Sequence, residues 1–179
     1  MNIEANHLSD ILAENLDLVI VGFNPSLVSW ATGHHYANPV NNFYRLLFKA
    51  GLTPRLIKPQ EDVQLPEYGI GLTNFVLDTP SANETAVPAK VYRASASALE
   101  DKIVRLQPRL VNFNGLKLYT YFFGRKLPKL GLQSETIGGR PLFVTPSSSG
   151  AANMYFEQRQ QLYTELKIYL DTLKGSKEL

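Results

Sequence analysis

Four short, mainly apolar segments constrain the fold of this chain more than any other feature. The segments are LDLVIVGF (16–23), YGIGLTNFVL (68–77), LVNFN (110–114) and PLFVTP (141–146). Runs of this length, rich in Val, Ile and Leu, are typical of strands that are buried on both faces of a parallel sheet. The segments between them are long enough to hold crossover helices. The pattern therefore predicts an α/β fold with helices on both faces of a mainly parallel sheet.

The intervening segments are divided between helices and loops. Amphipathic spacing predicts helices over 39–51, 88–106, 116–124 and 154–173, and a further short N-terminal helix is expected with Ser9 or Asp10 as its N-cap. Loops are predicted over 24–38, 52–68, 125–140 and 147–153, with the basic stretch 125–140 expected to be mobile. Because no repeat or linker interrupts the pattern, we predict one domain over residues 1–179.

Composition excludes several kinds of chemistry. The chain contains no cysteine, which excludes disulfides, thiolate nucleophiles and cysteine-ligated metal centres. With only three histidines, at positions 7, 34 and 35, we expect no metal site. The formal net charge of +2 permits a DNA partner without indicating one. No run approaches the ~20 apolar residues of a membrane span. We expect the protein in the cytoplasm of a prokaryote or the nucleus of a eukaryote.

In parallel sheets the functional site lies beyond the carboxyl ends of the strands. The segments predicted at that edge are rich in Asn, Ser, Thr, His and Gly and poor in acids, and they comprise 24–38, 74–85, 114–116 and 145–153. Scarce carboxylates argue against metal-dependent phosphoryl transfer, and neither a GxGxxG nor a GxxxxGK[ST] motif occurs. A neutral, hydrogen-bonding set of this kind suits nucleic-acid recognition.

One further enzyme class stays open on composition. A small hydrolase could combine the Ser147–Ser149 run with His34 or His35, although no GxSxG elbow is present.

Five segments, in order, resemble the motifs of one known family. GFNPS (22–26) resembles GINPG of the mismatch-specific uracil/thymine DNA glycosylase family, in the uracil-DNA glycosylase superfamily. GHHY (33–36) with PVNNFYRLL (39–47) resembles that family's PxNxFW continuation. Its later blocks are matched by YGIGLTN (68–74), QPRLVNFNG (107–115) and TPSSSGAAN (145–153). The resemblance extends from about Leu18 to Leu173 and is closer to the thymine-processing branch.

The resemblance implies a fold and an activity. The fold is a three-layer α/β/α sandwich with a short, mainly parallel central sheet, in agreement with the apolar pattern. The activity is that of a monofunctional DNA glycosylase in base excision repair. It flips uracil, or alternatively thymine or a damaged pyrimidine such as ethenocytosine, out of a G:U or G:T mispair and hydrolyses the N-glycosidic bond. The expected partner is double-stranded DNA with a mispaired or damaged base, bound by a monomer without a cofactor. A non-catalytic reader of such DNA is the alternative.

The same resemblance implies a catalytic residue and a base pocket. Asn24 matches the family's water-positioning Asn, and because a neutral amide is a poor general base we expect slow chemistry. An Asn that precedes a Pro also marks a turn, so a structural interpretation of Asn24 stays open. The residues that match the base pocket are Phe23, Ser26, His35, Tyr36 and Asn74.

Individual pocket residues have different expected roles. Tyr36 is expected to stack on the flipped base and Asn74 to bond the pyrimidine edge, whereas the role of His35 is open. A structural alternative stays open for two of these residues. Phe23 could be a core aromatic residue, and Asn74 could cap the end of a strand. Ser26 departs from the Gly that is usual in the family, and uracil-only relatives have Tyr there. We expect that Ser26 admits uracil and disfavours thymine.

DNA contacts are implied at two further places. Phosphate contacts, through the side chains or the backbone amides, are expected at or near helix starts, where ordinary capping is a compatible role, from Asn41, Asn114, Gly115 and Ser147. The loop expected to enter the DNA comprises Ser149, Gly150, Ala151, Ala152 and Asn153. Relatives place a Leu or Arg in this loop to fill the gap left by the flipped base. Here the plug is either small or supplied by Asn153 or Met154.

Overall fold

All four apolar segments form strands of one sheet. The computed structural model describes residues 7–82, 86–150 and 154–175. Its strands are β1 Leu18–Gly22, β2 Ile70–Asn74, β3 Leu110–Asn114, β4 Gly131–Ile137 and β5 Arg140–Thr145. They are arranged in the order β2-β1-β3-β5-β4, and only the β4–β5 pair is antiparallel. The prediction of a mainly parallel sheet is confirmed.

Helices cover both faces of the sheet. They are α1 Leu27–Thr32, α2 Phe43–Lys49, a 3₁₀ helix Pro59–Tyr68, α3 Ala89–Leu106, α4 Leu116–Phe123 and α5 Phe156–Gly175. Successive strand side chains point to opposite faces, so Leu18 and Ile20 belong to the core beneath α2 and α5. Val19 and Val21 belong to the core beneath α3 and α4. The three-layer α/β/α sandwich is therefore confirmed.

The segment predicted as a mobile basic loop contains a strand. Residues 131–137 form β4, the antiparallel edge strand, which pairs with β5 alone. Its inward-facing residues include Gly131 and the buried Gln133, whose Nε2 donates to Lys129 O at 2.9 Å. The prediction was wrong here because an edge strand of this composition lacks the apolar signal of a strand buried on both faces.

The N-terminal prediction was also wrong. Residues 7–15 contain no helix, and neither Ser9 nor Asp10 caps one. Instead Ile11 forms an antiparallel bridge with Leu72, and Asp10 Oδ1 accepts from Thr73 Oγ1 at 2.6 Å. Lys102 Nζ donates to Asp10 Oδ2 at 2.6 Å. These long-range bonds override the local helical preference of the segment.

Two segments predicted as loops contain short helices, α1 in 24–38 and the 3₁₀ helix in 52–68. Conversely, the helix predicted over 39–51 is shorter than expected. It begins at Phe43 because residues 39–42 form a turn in which Asn41 N–H donates to Asn38 O. Across 7–82, 86–150 and 154–175, we find no helix with the length and apolar character needed to cross a bilayer.

Candidate functional site

Four loops meet at the carboxyl edge of the sheet because the parallel strands end side by side. Gly22 of β1 is opposite Asn74 of β2, and Asn114 of β3 is opposite Thr145 of β5. The segments that follow these strands surround a cavity of about 150 Å³. This is the position expected for a site in a sheet of this topology.

Most predicted site residues with a described position line this cavity. They are Phe23, Asn24, Ser26, His35, Tyr36, Asn41, Asn74, Asn114, Ser147, Ser149 and Gly150. Gly115 is not among the lining residues. Ala151, Ala152 and Asn153 lie outside the described residues.

Asn24 follows β1, and its side-chain amide is held from two sides. Nδ2 donates to Thr79 O at 2.8 Å and to Ser81 Oγ at 2.7 Å. The Tyr92 hydroxyl donates to Oδ1 at 2.8 Å. An amide oxygen has two lone pairs, so Oδ1 retains one with which to accept from a ligand or a water. These partners are more than 50 residues away, so the role of Asn24 extends beyond a turn before Pro25.

Tyr36 provides an aromatic wall of the cavity. Its φ is +53°, a left-handed conformation that is uncommon for residues other than Gly. The ring stacks on Phe43 with centroids 3.7 Å apart and planes 18° from parallel. Burial raises the pKa of the Tyr36 hydroxyl to about 12, so it is protonated at pH 7. Strained backbone of this kind persists where the surrounding packing imposes it, often at ligand sites.

Asn74 offers an unused amide at the floor of the cavity. Its side chain is buried, yet it forms no hydrogen bond within the described parts of the chain. A Cβ at Gly22 would lie 2.6 Å from Asn74 Oδ1 and 2.9 Å from the Tyr36 hydroxyl oxygen. Glycine at position 22 therefore makes the room that both side chains occupy. A buried amide without a partner can both donate to and accept from a ligand.

A buried aspartate orients the two histidines. Asp62 Oδ2 accepts from the backbone N–H of His35 at 2.8 Å, and Asp62 Oδ1 lies 3.1 Å from the ring Nδ1 of His34. His35 Nε2 lies 2.9 Å from Ser9 O, which can only accept, so Nε2 carries a proton. Burial lowers the pKa of His35 from its usual value of 6.5. The ring is therefore neutral at pH 7, and its Nδ1 is an acceptor.

Ser26 combines a cavity position with a structural role. It is the N-cap of α1, where its Oγ accepts from Ser29 N at 3.1 Å. Ser29, which also lines the cavity, accepts from Ala37 N–H through its Oγ at 3.1 Å. The sequence analysis did not predict Ser29 as a site residue because it did not predict α1. The spacing of three residues between Ser26 and Ser29 is typical of a helix start and could have indicated both.

The Asn114 side chain forms hydrogen bonds within the protein. Its Nδ2 donates to Ser148 Oγ at 3.0 Å, and its Oδ1 accepts from Ser148 N at 3.1 Å and from the Tyr163 hydroxyl at 2.9 Å. These bonds fix the loop that follows β5. The phosphate contact expected of Asn114 or its backbone amide stays a prediction.

The same loop is held from two other directions. Arg159 of α5 is buried, and its Nη1 donates to Ser149 O at 2.9 Å. The Asn42 N–H donates to Ser148 O at 2.9 Å. The base of the loop is consequently anchored to both helices on that face of the sheet. Arg159 gave no sequence signal, because a basic residue in a helix is usually exposed.

Gly115 has a structural role just before α4, and the phosphate contact expected of it stays a prediction. Its N–H donates to Thr145 O at 3.0 Å. Its φ is +141°, and a Cβ there would lie 2.2 Å from Phe23 Cε2. Gly115 therefore allows close packing of Phe23, which in turn lines the cavity. Both interpretations of Phe23, pocket wall and core aromatic, describe this position.

Asn41 and Ser147 keep free hydrogen-bonding capacity. Asn41 Oδ1 accepts from Phe43 N at 3.0 Å, which caps the start of α2. Ser147 Oγ accepts from Ser149 N at 3.2 Å. Within the described residues, neither the Asn41 NH₂ group nor the Ser147 hydroxyl proton is donated. Both residues therefore combine a local structural role with donors that line the cavity.

The arrangement limits the chemistry of the site. Its described lining residues include no carboxylate, lysine or arginine, and the described residues contain no acidic or histidine cluster suited to a metal ion. Neither histidine hydrogen-bonds to Ser147, Ser148 or Ser149 in the described structure, so a nucleophile–base pair for a serine hydrolase is missing. The cavity is a neutral site whose described polar lining consists of amides, hydroxyls and one neutral histidine ring.

Comparison with known protein families agrees with this geometry. A model of the Uracil DNA glycosylase superfamily matches residues 9–171 of the chain. The match covers every strand of the sheet and the loops that surround the cavity. Members of this superfamily are DNA glycosylases, hydrolases that act on DNA. The neutral cavity at the carboxyl edge of the sheet and the extent of this match lead to one conclusion: the chain belongs to the Uracil DNA glycosylase superfamily.

Proposed function

We propose that this protein is a monofunctional DNA glycosylase that flips and excises uracil from mispairs with guanine and leaves an abasic site. The observation that carries the proposal is the combination of Asn24, Tyr36 and Asn74 around one neutral cavity. A planar, polar base fits this combination because it has an apolar face for stacking and an edge with donors and acceptors.

The Tyr36 ring and the side-chain amide of Asn74 suggest how a flipped base would be bound. Tyr36 stacks on Phe43 through one face and lines the cavity, so the pose places a flipped pyrimidine against its other face. The unused amide of Asn74 can donate to a carbonyl of the base and accept from its ring N–H. Aromatic stacking combined with a single amide reading the edge is a common way to bind an unstacked base.

Asn24 would act on the opposite side of the bond that breaks. The free lone pair of its Oδ1 accepts a hydrogen from a water, which directs the water oxygen at C1′ of the sugar. The C1′–N bond breaks and its electron pair leaves with the base as an anion. The water oxygen bonds to C1′ and loses a proton, which passes through solvent and neutralises the released base. Stabilisation of separated charges, rather than strong base catalysis, must supply most of the rate enhancement.

The rim of the cavity supplies the proposed DNA contacts. Asn41 and Ser147 retain donors that suit phosphate oxygens. The loop from Ser149 onward, which continues into Gly-Ala-Ala, would enter the space left by the flipped base. Because no lysine is among the described lining residues, we expect hydrolysis without cleavage of the DNA strand.

The test is an excision assay in EDTA. Duplexes carry one uracil opposite guanine or opposite adenine, or one thymine opposite guanine, and alkali reveals abasic sites. We expect release of uracil from G:U, with strand breaks only after alkali. Binding of the duplexes without any base release would instead indicate a non-catalytic reader.

Uracil opposite guanine should be excised about tenfold faster than uracil opposite adenine. Extrusion of a base costs a few kcal/mol and costs least for a mispaired base. A small plug recovers little of that cost, so the rate depends strongly on the initial pairing. Single-turnover rates on otherwise identical duplexes measure the effect. Equal rates for the two pairs would contradict a weak plug.

Ser26→Gly should raise the rate of thymine excision relative to uracil by about tenfold, the usual effect of space for one carbon in a binding pocket. The substitution is a clean test because replacing an N-cap Ser by Gly costs only a few tenths of a kcal/mol. The ratio of the G:T and G:U rates is compared between the variant and the unaltered protein. An unchanged ratio would show that Ser26 does not control access of the thymine methyl group.

A further inference from the structure

We infer that Tyr92 is a positioning residue that acts through Asn24, an inference that rests on the proposed function. Tyr92 lies on α3, outside the segments whose motifs indicate the site, and it is fully buried. Its hydroxyl donates to Asn24 Oδ1 at 2.8 Å across 68 residues of sequence.

The partners of Asn24 determine which way its amide faces. Thr79 O is a carbonyl that can only accept, so the group 2.8 Å from it must be the NH₂ of Asn24. Ser81 Oγ takes the second N–H at 2.7 Å. Rotation of the amide by half a turn would bring Oδ1 against the Thr79 carbonyl, which is repulsive. Oδ1 therefore faces the Tyr92 hydroxyl.

Tyr92 has little freedom to move away. Its ring stacks on Tyr121 with centroids 4.6 Å apart and planes 9° from parallel. Phe23 meets it edge to face at 6.2 Å, and Phe75 lies 5.8 Å away at a tilt of 40°. Because these rings come from different elements, the sandwich core holds the hydroxyl at one position.

This contact leaves Asn24 with one open acceptor position instead of two. Without the Tyr92 hydroxyl, both lone pairs of Oδ1 could bind water, and a water at the second position would not face the sugar. The hydroxyl thus selects one position for the attacking water. Such an effect should appear in the rate of bond cleavage and not in the affinity for DNA.

The experiment compares Tyr92→Phe with Tyr121→Phe. Both substitutions remove one hydroxyl from the same pair of stacked rings, but only Tyr92 bonds to Asn24. We expect Tyr92→Phe to lower the single-turnover rate of uracil release by about tenfold, the size expected for one neutral hydrogen bond. The Kd for a duplex that carries a non-hydrolysable uracil nucleotide should change by less than about twofold. Tyr121→Phe should leave both quantities unchanged.

Rates are measured well below the melting temperature of each variant, so that a change in stability does not enter them. Wild-type rates for Tyr92→Phe would overturn the inference while the proposed function stands. Equal losses in both tyrosine variants would overturn it too, since they would indicate a general packing effect. No base release by the unaltered protein would overturn the proposed function and, with it, this role of Tyr92.

Discussion

Replacement of Asn24 by alanine is expected to slow uracil release by about 10²- to 10³-fold, the range typical of the loss of one preorganised hydrogen-bonding group. The side chain supplies an acceptor, held from two sides, from which a water could be directed at the sugar. Alanine removes that acceptor and leaves the Tyr92 hydroxyl and Ser81 Oγ without their Asn24 partner. Binding should persist, because the stacking face of Tyr36 and the amide of Asn74 are unaffected. Single-turnover rates and the Kd for a non-hydrolysable duplex separate the two effects.

The matched control is Asn42→Ala. Asn42 precedes α2 and does not line the cavity, and its Oδ1 accepts only from Arg45 Nη1 at 3.1 Å among the described residues. This variant should excise uracil at nearly the unaltered rate. A rate for Asn24→Ala within about tenfold of the unaltered protein would mean that the water is positioned elsewhere.

Gly115→Ala is expected to destabilise the protein by about 2–6 kcal/mol, from backbone strain and overpacking of about 1–3 kcal/mol each. The strain arises because φ is +141°, and the overpacking arises because the new methyl group would lie 2.2 Å from Phe23 Cε2. Phe23 cannot easily retreat, since it meets Tyr92 and Tyr121 edge to face. In a domain of this size the melting temperature should fall by about 2–4 °C per kcal/mol.

Gly124→Ala separates strain from packing. Gly124 ends α4 with φ of +68°, and a Cβ there would meet no atom within 4 Å. It should therefore cost about 1–2 kcal/mol, from backbone strain alone. Thermal or denaturant unfolding of both variants gives the comparison. Equal losses would show that Phe23 adjusts freely and that close packing does not explain the glycine at position 115.

The central strands were predictable because strands that are buried on both faces have a mainly apolar sequence. A strand covered by helices on both faces is mainly apolar, as β1 and β3 are. The buried Asn112 of β3 is paired with Thr145 Oγ1 inside the sandwich. β4 escaped prediction because it has a neighbour on one side only, so Gln133 and Glu135 are tolerated in it. The N-terminal segment escaped for a different reason, since the partners of Asp10 and Ile11 lie more than 60 residues away.

The candidate site was predictable as a set of positions but not as a set of free groups. Asn24, Asn74 and Asn114 look alike in sequence, as each asparagine lies at or just beyond the end of a strand. In the structure, the Asn114 side chain is hydrogen-bonded to Ser148 and Tyr163, whereas the Asn74 side chain has no hydrogen-bond partner among the described residues. Asn24 lies between these cases, with one lone pair left after the bond from Tyr92.

The sequence alone determined where the four parallel strands run and which loops share an edge, because both follow from the apolar pattern and from the rule that parallel strands end together. Only the tertiary structure decided which polar groups at that edge remain available to a ligand. The physical reason is that a buried donor or acceptor must be paired, and its partner can come from any element that packs nearby. The partner of Asn24 Oδ1 comes from a buried face of α3, where the sequence pattern indicates only a core aromatic residue.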